Sequence, residues 1–257
     1  MGRLHKQSGR CVNLVKALPH ASGKYDETVC CAGISPGGSW VRQHPVPYRT
    51  LLQPQKFRRW DIIQYEFTDP GHDGRYETQR VEPNSIQIVG KSSAAKEQSN
   101  LNSMLFESTS AAAKAGHSLT LIRPSDFEFF SVPKSQEKID KETKKHAAAA
   151  AQESMFHGKV SPFEVCPLEF KMNWRDATGK KRSHTCEDWE TTTTYQRRLN
   201  ETRNADMAFN WLKEKYENDY RQSGVVFALG THLVYQKTWL LVGIIRLNEE
   251  NQPSLNL

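Results

Sequence analysis

A compact group of polar side chains, close together in the sequence, has the chemistry of an active site. It contains His184, Asp188 and Glu190, with Cys186 and Glu187 between them. Carboxylates beside an imidazole can bind a divalent metal or act as a general base. The same acids also suit the first turn of a helix, where they oppose the positive end of the dipole. The sequence therefore leaves two interpretations open: a catalytic group of His184, Asp188 and Glu190, and a purely structural helix start.

Asp188 is the residue at which these two interpretations can be separated. As the N-cap of the helix it should tolerate Asp188→Asn, whereas Asp188→Ala should cost about 0.5–2 kcal/mol. As a metal ligand or proton carrier it should lose its activity on Asp188→Asn while the fold survives. We expect the capping result.

Three residues in the same region could bind zinc together with a fourth group. Cys166 precedes the first strand of a predicted hairpin, and His184 and Cys186 lie on its return strand. This spacing matches no standard zinc motif, so buried or incidental side chains are the alternative. We expect no cofactor, with zinc or magnesium as the ions that these groups would accept.

The hairpin before this group has a basic tip. Residues 168–175 alternate between apolar and polar side chains, which predicts a strand with one apolar face. A turn at residues 176–179 follows, and Lys180, Lys181 and Arg182 begin the return strand. A raised basic tip suits contact with phosphates. A solvated turn is the alternative, because charge is common in exposed turns.

A second basic segment precedes it in the chain, where cationic and aromatic residues alternate irregularly. Cations neutralise phosphates and aromatic rings stack on bases, so the segment predicts a nucleic-acid-binding surface. The alternative is that Trp40, Phe57 and Trp60 belong to the core, with arginines around them. The predicted binding residues of this segment are Arg42, Tyr48, Arg49, Lys56, Arg58, Arg59 and Trp60.

The overall charge is compatible with such a partner. The chain has 257 residues, with 35 Lys and Arg against 29 Asp and Glu, a net charge of +6 and a pI near 9.0. No apolar run reaches membrane-spanning length, so we expect no membrane partner. The five cysteines are odd in number, contain no C-x-x-C and follow no signal-peptide pattern. They favour free thiols in a reducing cytoplasm.

The remaining patterns place these groups in an α+β protein. Short strands joined by Gly- and Pro-rich turns up to residue 89 predict a bent N-terminal β-sheet or small barrel. A charged, Ala-rich segment predicts an exposed helical connector, and a hairpin–helix–hairpin arrangement follows it. The predicted domains are 1–133 (β-rich), 134–158 (helical connector) and 159–257 (α+β). Within the domain at 159–257, a helix is expected from about Thr192 to Tyr220, with residues 201–204 as the place where it would break.

Several blocks in both halves of the chain share a pattern with other proteins. They are KYDETVCCAGISPGGSWVRQHPVPYR at residues 24–49, KFRRWDII at 56–63, SLTLIRP at 118–124, CEDWE at 186–190 and FALGTHLVYQKTWLLVGI at 227–244. Together these blocks resemble a family of prokaryotic proteins without assigned activity. The resemblance implies no cofactor and no catalytic residue, but it implies that the blocks belong to one architecture.

These observations predict three functions from different classes. The first is a nucleic-acid-binding subunit or adaptor of a larger prokaryotic assembly, with DNA or RNA and other protein subunits as partners. The second is a metal-dependent nuclease or related hydrolase, although the chain has no Walker A, G-x-G-x-x-G, H-E-x-x-H or G-x-S-x-G motif. The third is a protein-interaction module without nucleic acid.

Overall fold

A computed structural model describes residues 5–22, 26–71, 73–157 and 160–247, and it has the predicted α+β architecture. The strands are β1 (Gln7–Lys16), β2 (His20–Ser22), β3 (Asp26–Ile34), β4 (Trp40–Val46), β5 (Asp61–Thr68), β6 (Thr78–Val81), β7 (Gln87–Lys91), β8 (Leu119–Ile122), β9 (Asp126–Pro133), β10 (Leu168–Arg175), β11 (Lys181–Thr185), β12 (Val225–Thr231) and β13 (Trp239–Arg246). The helices are α1 (Gln98–Ser103), α2 (Thr109–Lys114), α3 (Gln136–His157), α4 (Trp189–Thr202), α5 (Ala205–Glu214) and α6 (Arg221–Ser223), with a π-helical segment at Lys215–Tyr220.

The chain divides into two compact units, each built from three segments. Unit 1 consists of Met1–Lys91, Ser131–Glu169 and Glu187–Trp189, and unit 2 of Ser92–Phe130, Phe170–Cys186 and Glu190–Leu257. The sequence-based domains 1–133, 134–158 and 159–257 are a different partition, and they stay a prediction about independently stable pieces. The polar tail from residue 248 lies outside the described residues.

Unit 1 contains a closed five-stranded barrel, which confirms the predicted small barrel. The ring runs β1-β3-β4-β6-β5 and returns to β1. The β4–β6 pair is parallel and the other pairs of the ring are antiparallel. β2 pairs with β3, and β7 extends β5 outside the ring. The buried side chains of these strands fill the interior of the ring.

The interior follows from strand alternation, because every second side chain points inward. The polar side chain of Gln43 also points inward, and its amide donates to the Tyr65 hydroxyl at 2.9 Å and to the Cys11 sulfur at 3.1 Å. A Cβ on Gly33 would collide with the backbone of the neighbouring β1, so the close approach of these strands requires glycine. The inner apolar side chains are Cys11, Val29, Cys31, Val46, Leu51, Phe57, Ile63, Tyr65, Val81 and Ile86.

The strand order of the barrel is that of the OB-fold. Counted along the chain, the ring strands β1, β3, β4, β5 and β6 are arranged first, second, third, fifth, fourth. OB-folds bind their ligands over the second and third strands and the loops beside them. In unit 1 these are the outer faces of β3 and β4, with the β1–β3 and β5–β6 connections beside them.

Helix α3 confirms the predicted helix but corrects its predicted exposure. One side of it is buried, at His146, Ala149, Ala150 and Glu153. Each of these positions lies three or four residues from two of the others, so they form one stripe, which packs against β2 and β3. The sequence concealed this stripe because its members are small or polar rather than large and apolar.

Unit 2 contains two three-stranded sheets, ordered β11-β10-β9 and β13-β12-β8. The predicted helix begins earlier than expected, at Trp189, and the predicted break is confirmed between α4 and α5. Arg203 has φ 54° at the break, and the side chain of Asn204 caps α5 by accepting from Met207 N at 3.0 Å. Within the described residues, no helix is both long and apolar enough to cross a membrane.

Candidate active site and candidate nucleic-acid interface

Asp188, the central residue of the predicted catalytic group, lies in a buried ion pair of unit 1. Its side chain is 1% exposed, and its Oδ2 lies 3.3 Å from Nη2 of Arg59. The Arg59 Nε also donates to the carbonyl of Leu14 at 2.9 Å. Arg59, predicted to contact nucleic acid, is therefore held by the barrel, with only 12% of its side chain exposed. Asp188 directly precedes α4, which is the position of an N-cap. Its capping role stays a prediction.

His184 lies in unit 2 and has a different partner. Its Nδ1 accepts a hydrogen bond from the indole Nε1 of Trp174 at 3.0 Å. Burial, with Arg182 nearby, lowers the pKa of His184 to about 4, so the imidazole is neutral near pH 7. Glu190 lies half-buried in the first turn of α4. The catalytic assignment of His184, Asp188 and Glu190 stays a prediction, and these contacts add no support to it.

The three predicted zinc ligands are also accounted for within their own units. Cys166 belongs to unit 1, and burial raises the pKa of its thiol. In unit 2 the Cys186 thiol lies 3.7 Å from the Thr191 hydroxyl. Among the described residues, no three His, Cys, Asp or Glu side chains are arranged to hold a metal ion. Zinc or magnesium binding stays a prediction.

Tyr48, a predicted stacking residue, is packed among other aromatic rings of unit 1. Its ring makes edge contacts with Phe57 and Trp189, at centroid distances of 5.2 and 5.4 Å. The ammonium of Lys16 lies 4.5 Å from the centre of the Tyr48 ring and donates to the Phe57 carbonyl at 3.2 Å. A lysine in this position is held by a cation–π contact and a hydrogen bond. Tyr48 is therefore packed against the core of the barrel, and its role in stacking on a base stays a prediction.

Arg49, a predicted phosphate contact, belongs to a buried group that the sequence did not reveal. Its Nη1 lies 2.8 and 3.0 Å from the two carboxylate oxygens of Glu27. His146 Nδ1 lies 2.7 Å from Oε2 of the same carboxylate. Burial alone would raise the pKa of Glu27, but the bonds from His146 and Arg49 outweigh it and lower the pKa. The group ties α3 and the β4–β5 connection to β3. Glu27 was missed because the strand is apolar on both faces and no local pattern marks its first residues.

Arg42 lies on the outer face of β4, where an OB-fold ligand would bind. Its neighbour Gln43 points into the barrel, so alternation directs Arg42 outward. Residues 73–77 nevertheless cover it: Nη2 of Arg42 lies 3.1 Å from Glu77, and their side chains are 5% and 0% exposed. Arg75 forms a second ion pair there, 2.6 Å from Asp73. Two arginines and two carboxylates balance in charge, so this face has no surplus of positive charge from these four groups.

The other residues of the aromatic and basic segment differ in exposure. Trp40 and Phe57 are buried, as the core alternative predicted. Trp60 is half-buried and has φ 72°, and its backbone N–H donates to the Asn13 carbonyl at 2.8 Å. Lys56 is half-buried, and Arg58 is exposed. Arg58 is therefore the predicted binding residue of this segment that is most open to solvent.

The β10–β11 hairpin presents its cations differently, because a buried carboxylate organises its turn. Asp176 is fully buried, and its Oδ1 accepts from the Thr178 N–H at 3.1 Å and from the Lys180 N–H at 3.0 Å. Its Oδ2 lies 3.0 Å from Arg182. Burial would raise the pKa of Asp176, but these bonds lower it. Gly179 adopts φ 80°, a conformation that favours glycine.

The exposed side of this hairpin carries like charges opposite each other. Arg175 pairs directly with Lys181 across the two strands, and both side chains are exposed. Lys180 is also exposed at the turn. Within the described residues, the ammonium groups of Lys180 and Lys181 have no carboxylate partner, while Arg182 is paired with Asp176. Of the three phosphate contacts predicted in the hairpin, Lys180 and Lys181 are open to solvent, whereas Arg182 is held by Asp176.

These features define an α+β protein with an OB-ordered barrel in one unit and a basic hairpin in the other. Residues 100–257 match the domain of unknown function DUF8757, and the chain belongs to this family. Residues 7–107, which include all the barrel strands, match a second domain of unknown function, DUF8758. Both matches agree with the predicted resemblance to a family without assigned activity. No curated protein matches the chain.

Proposed function

We propose that the protein binds nucleic acid and that the exposed face of the β10–β11 hairpin contacts its phosphates. The observation that carries this proposal is the direct opposition of Arg175 and Lys181, with Lys180 beside them. Like charges opposite each other destabilise a β-ladder in the free protein. A polyanion bound across them would turn this repulsion into attraction.

Two further features support the same function. The buried Asp176 fixes the backbone of the turn, so the lysines lose little backbone entropy on binding a ligand. The chain carries a net charge of +6, which favours encounter with a polyanion. The OB strand order of unit 1 is also common among proteins that bind oligonucleotides, although its outer β4 face is covered by residues 73–77.

A salt titration with a charge-matched control tests the proposal. Labelled DNA and RNA are titrated with the wild type, with Lys180→Gln/Lys181→Gln and with Lys144→Gln/Lys145→Gln. The control removes two exposed lysines from α3 of unit 1 and so makes the same change in net charge. We expect only the hairpin variant to weaken binding strongly and to reduce the salt slope by about 2, or about 0.9 for each phosphate that a lysine no longer neutralises.

The same titration separates the other two predicted functions. Equal effects of the two variants would show that net charge alone attracts the nucleic acid, and the hairpin assignment would be wrong. Absence of salt-dependent binding by the wild type would favour a protein-interaction module. Cleavage of the labelled strand with Mg²⁺ or Mn²⁺, abolished by EDTA, would favour the nuclease.

The wider setting of this activity is also proposed from the sequence. A role as subunit or adaptor of a larger prokaryotic assembly fits a binding protein whose family has no assigned activity. All five cysteines are free thiols, which fits the reducing cytoplasm. Sedimentation of the native protein from a cell extract would show whether it travels as a monomer or within a larger particle.

A further inference from the structure

The connection between β12 and β13 forms an apolar tip in unit 2. Leu233, Val234 and Tyr235 are consecutive and are 45%, 71% and 69% exposed. Such a run of large apolar residues in contact with water is unfavourable unless a partner covers it. The exposed Lys237 follows two residues later, so a cation accompanies the aromatic ring. We refer to residues 232–238 as the Tyr235 finger.

The finger is held in one shape by its own hydrogen bonds. Nδ1 of His232 accepts from the backbone N–H groups of Val234 and Tyr235, both at 3.1 Å. The His232 N–H donates to the Thr238 carbonyl at 2.9 Å, and the Thr238 N–H donates to the Tyr235 carbonyl at 2.8 Å. The imidazole stacks on the Tyr235 ring, with centroids 5.3 Å apart and planes 29° apart. The ring is therefore supported and remains largely exposed.

Strand pairing places the finger at the same end of unit 2 as the basic hairpin. Cys186, just after β11, forms a parallel bridge with Leu241 of β13. The β10–β11 turn leads directly into β11, and the Tyr235 finger leads directly into β13. These two strands run in parallel at the bridge, so each turn lies at the N-terminal end of its strand. The two turns therefore project in the same direction.

We propose that the Tyr235 finger is a base-stacking site and that, with the basic hairpin, it makes the protein selective for single-stranded nucleic acid. An exposed aromatic ring beside cations is the arrangement that holds unpaired bases, because every base has a face that can stack while the phosphates meet the cations. In a duplex the bases are already stacked and paired. This inference rests on the proposed function, and it adds the class of ligand and the residue that recognises it.

The test compares two substitutions of the same residue. Fluorescein-labelled oligo(dT) and a duplex of equal length are titrated with the wild type, Tyr235→Ala, Tyr235→Phe and Lys180→Gln/Lys181→Gln. We expect Tyr235→Ala to weaken oligo(dT) binding by about 5- to 150-fold with the salt slope unchanged. Tyr235→Phe should bind like the wild type because it keeps the ring. Both variants should keep the melting temperature of the wild type, since the side chain is exposed.

The outcomes distinguish this inference from the proposed function. If Tyr235→Ala binds oligo(dT) like the wild type while the lysine variant is weakened, the finger is not a stacking site and the hairpin proposal stands. Equal losses of affinity in Tyr235→Phe and Tyr235→Ala would mean that the hydroxyl, not the ring, binds the ligand, and would also overturn the inference. If the wild type binds neither ligand, both proposals are wrong.

Discussion

The arginines of the barrel and the lysines of the β10–β11 hairpin carry the same charge but are used in opposite ways. In unit 1, Arg42, Arg49 and Arg59 each bind a buried carboxylate. In unit 2, Lys180 and Lys181 extend into solvent. The guanidinium is planar and weakly hydrated and suits buried carboxylates, whereas the ammonium is strongly hydrated. A segment rich in cations and aromatic rings can therefore close a barrel as readily as it can bind a ligand.

The largest expected loss of stability follows from removing the carboxylate of Glu27 in the barrel. Its side chain is 4% exposed and bonds both Arg49 and His146. Glu27→Ala leaves a guanidinium without its buried partner, which costs about 3–5 kcal/mol of unfolding free energy. Urea denaturation followed by tryptophan fluorescence measures the loss.

The control for this change is Glu66→Ala, which removes an exposed carboxylate. Glu66 lies 3.1 Å from Lys6, and the two side chains are 52% and 56% exposed. An exposed pair contributes about 0–1 kcal/mol. Equal losses of stability in the two variants would show that the buried ion pairs do not stabilise the barrel more than surface pairs do, and the contrast between the two units would fail.

Asp188→Asn should have a smaller but clear effect. The sequence predicted a mild change, since Asn caps a helix about as well as Asp. The ion pair with Arg59 alters this expectation, because the amide can still accept a hydrogen bond but no longer balances the charge. We expect a loss of about 1–3 kcal/mol in urea denaturation. A neutral Asp188→Asn variant would show that the cap, not the ion pair, is the important interaction.

Local patterns revealed much of the fold. Alternating apolar and polar residues predicted a strand at residues 168–175, and these are the bounds of β10. The break between α4 and α5 was predicted at residues 201–204, and the structure has it there. Local patterns left a bent sheet and a small barrel as alternatives, and they did not give the strand order or the pairs that close the ring. Strand order and closure depend on pairings between distant strands, such as β1 with β5, which leave no periodic pattern in a single sequence.

The candidate sites were harder to predict for a related reason. The availability of a charge depends on partners far along the chain: Glu27 and His146, or Arg59 and Asp188, are more than one hundred residues apart. The hairpin was predictable because its turn, strands and organising Asp176 are contiguous. The Tyr235 finger was missed because Leu233 and Val234 resemble strand residues, and only their exposure distinguishes them.

His184 offers a smaller, pH-dependent effect within the hairpin. Its folded pKa, about 4, is below the unfolded value of 6.5, so between these values the unfolded chain takes up a proton that the folded chain does not. Stability contributed by the neutral imidazole is therefore present above pH 6.5 and lost as the pH falls toward 4. The slope is at most about 1.4 kcal/mol per pH unit.

His184→Gln should remove this contribution, and denaturation at several pH values measures it. The dependence of the unfolding free energy on pH should become weaker, by the equivalent of at most one proton. It should not vanish, since burial also lowers the pKa of His44 to about 4. His5→Gln, at an exposed position, is the control for the loss of one histidine. An unchanged slope in His184→Gln would mean that the imidazole is accessible to protons in the folded hairpin.

The smallest expected effect has the opposite sign and tests the hairpin side of the comparison directly. Lys181→Gln removes one of two like charges that face each other across the strands and keeps a side chain of similar length. It should therefore stabilise the free protein, by about 0.2–1 kcal/mol at low salt.

Measuring the stability of Lys181→Gln at low and high salt shows whether charge repulsion causes the stabilisation. Exposed charges are screened over about 3 Å at 1 M salt and over about 30 Å at 0.01 M, so the added stability should disappear at high salt. In an Arg175→Gln background the same substitution should be neutral, because no charge then opposes it. A stabilisation that survives both tests would arise from strand propensity instead. The opposed pair would then carry no strain for a polyanion to relieve, and the proposed phosphate site would lose its main support.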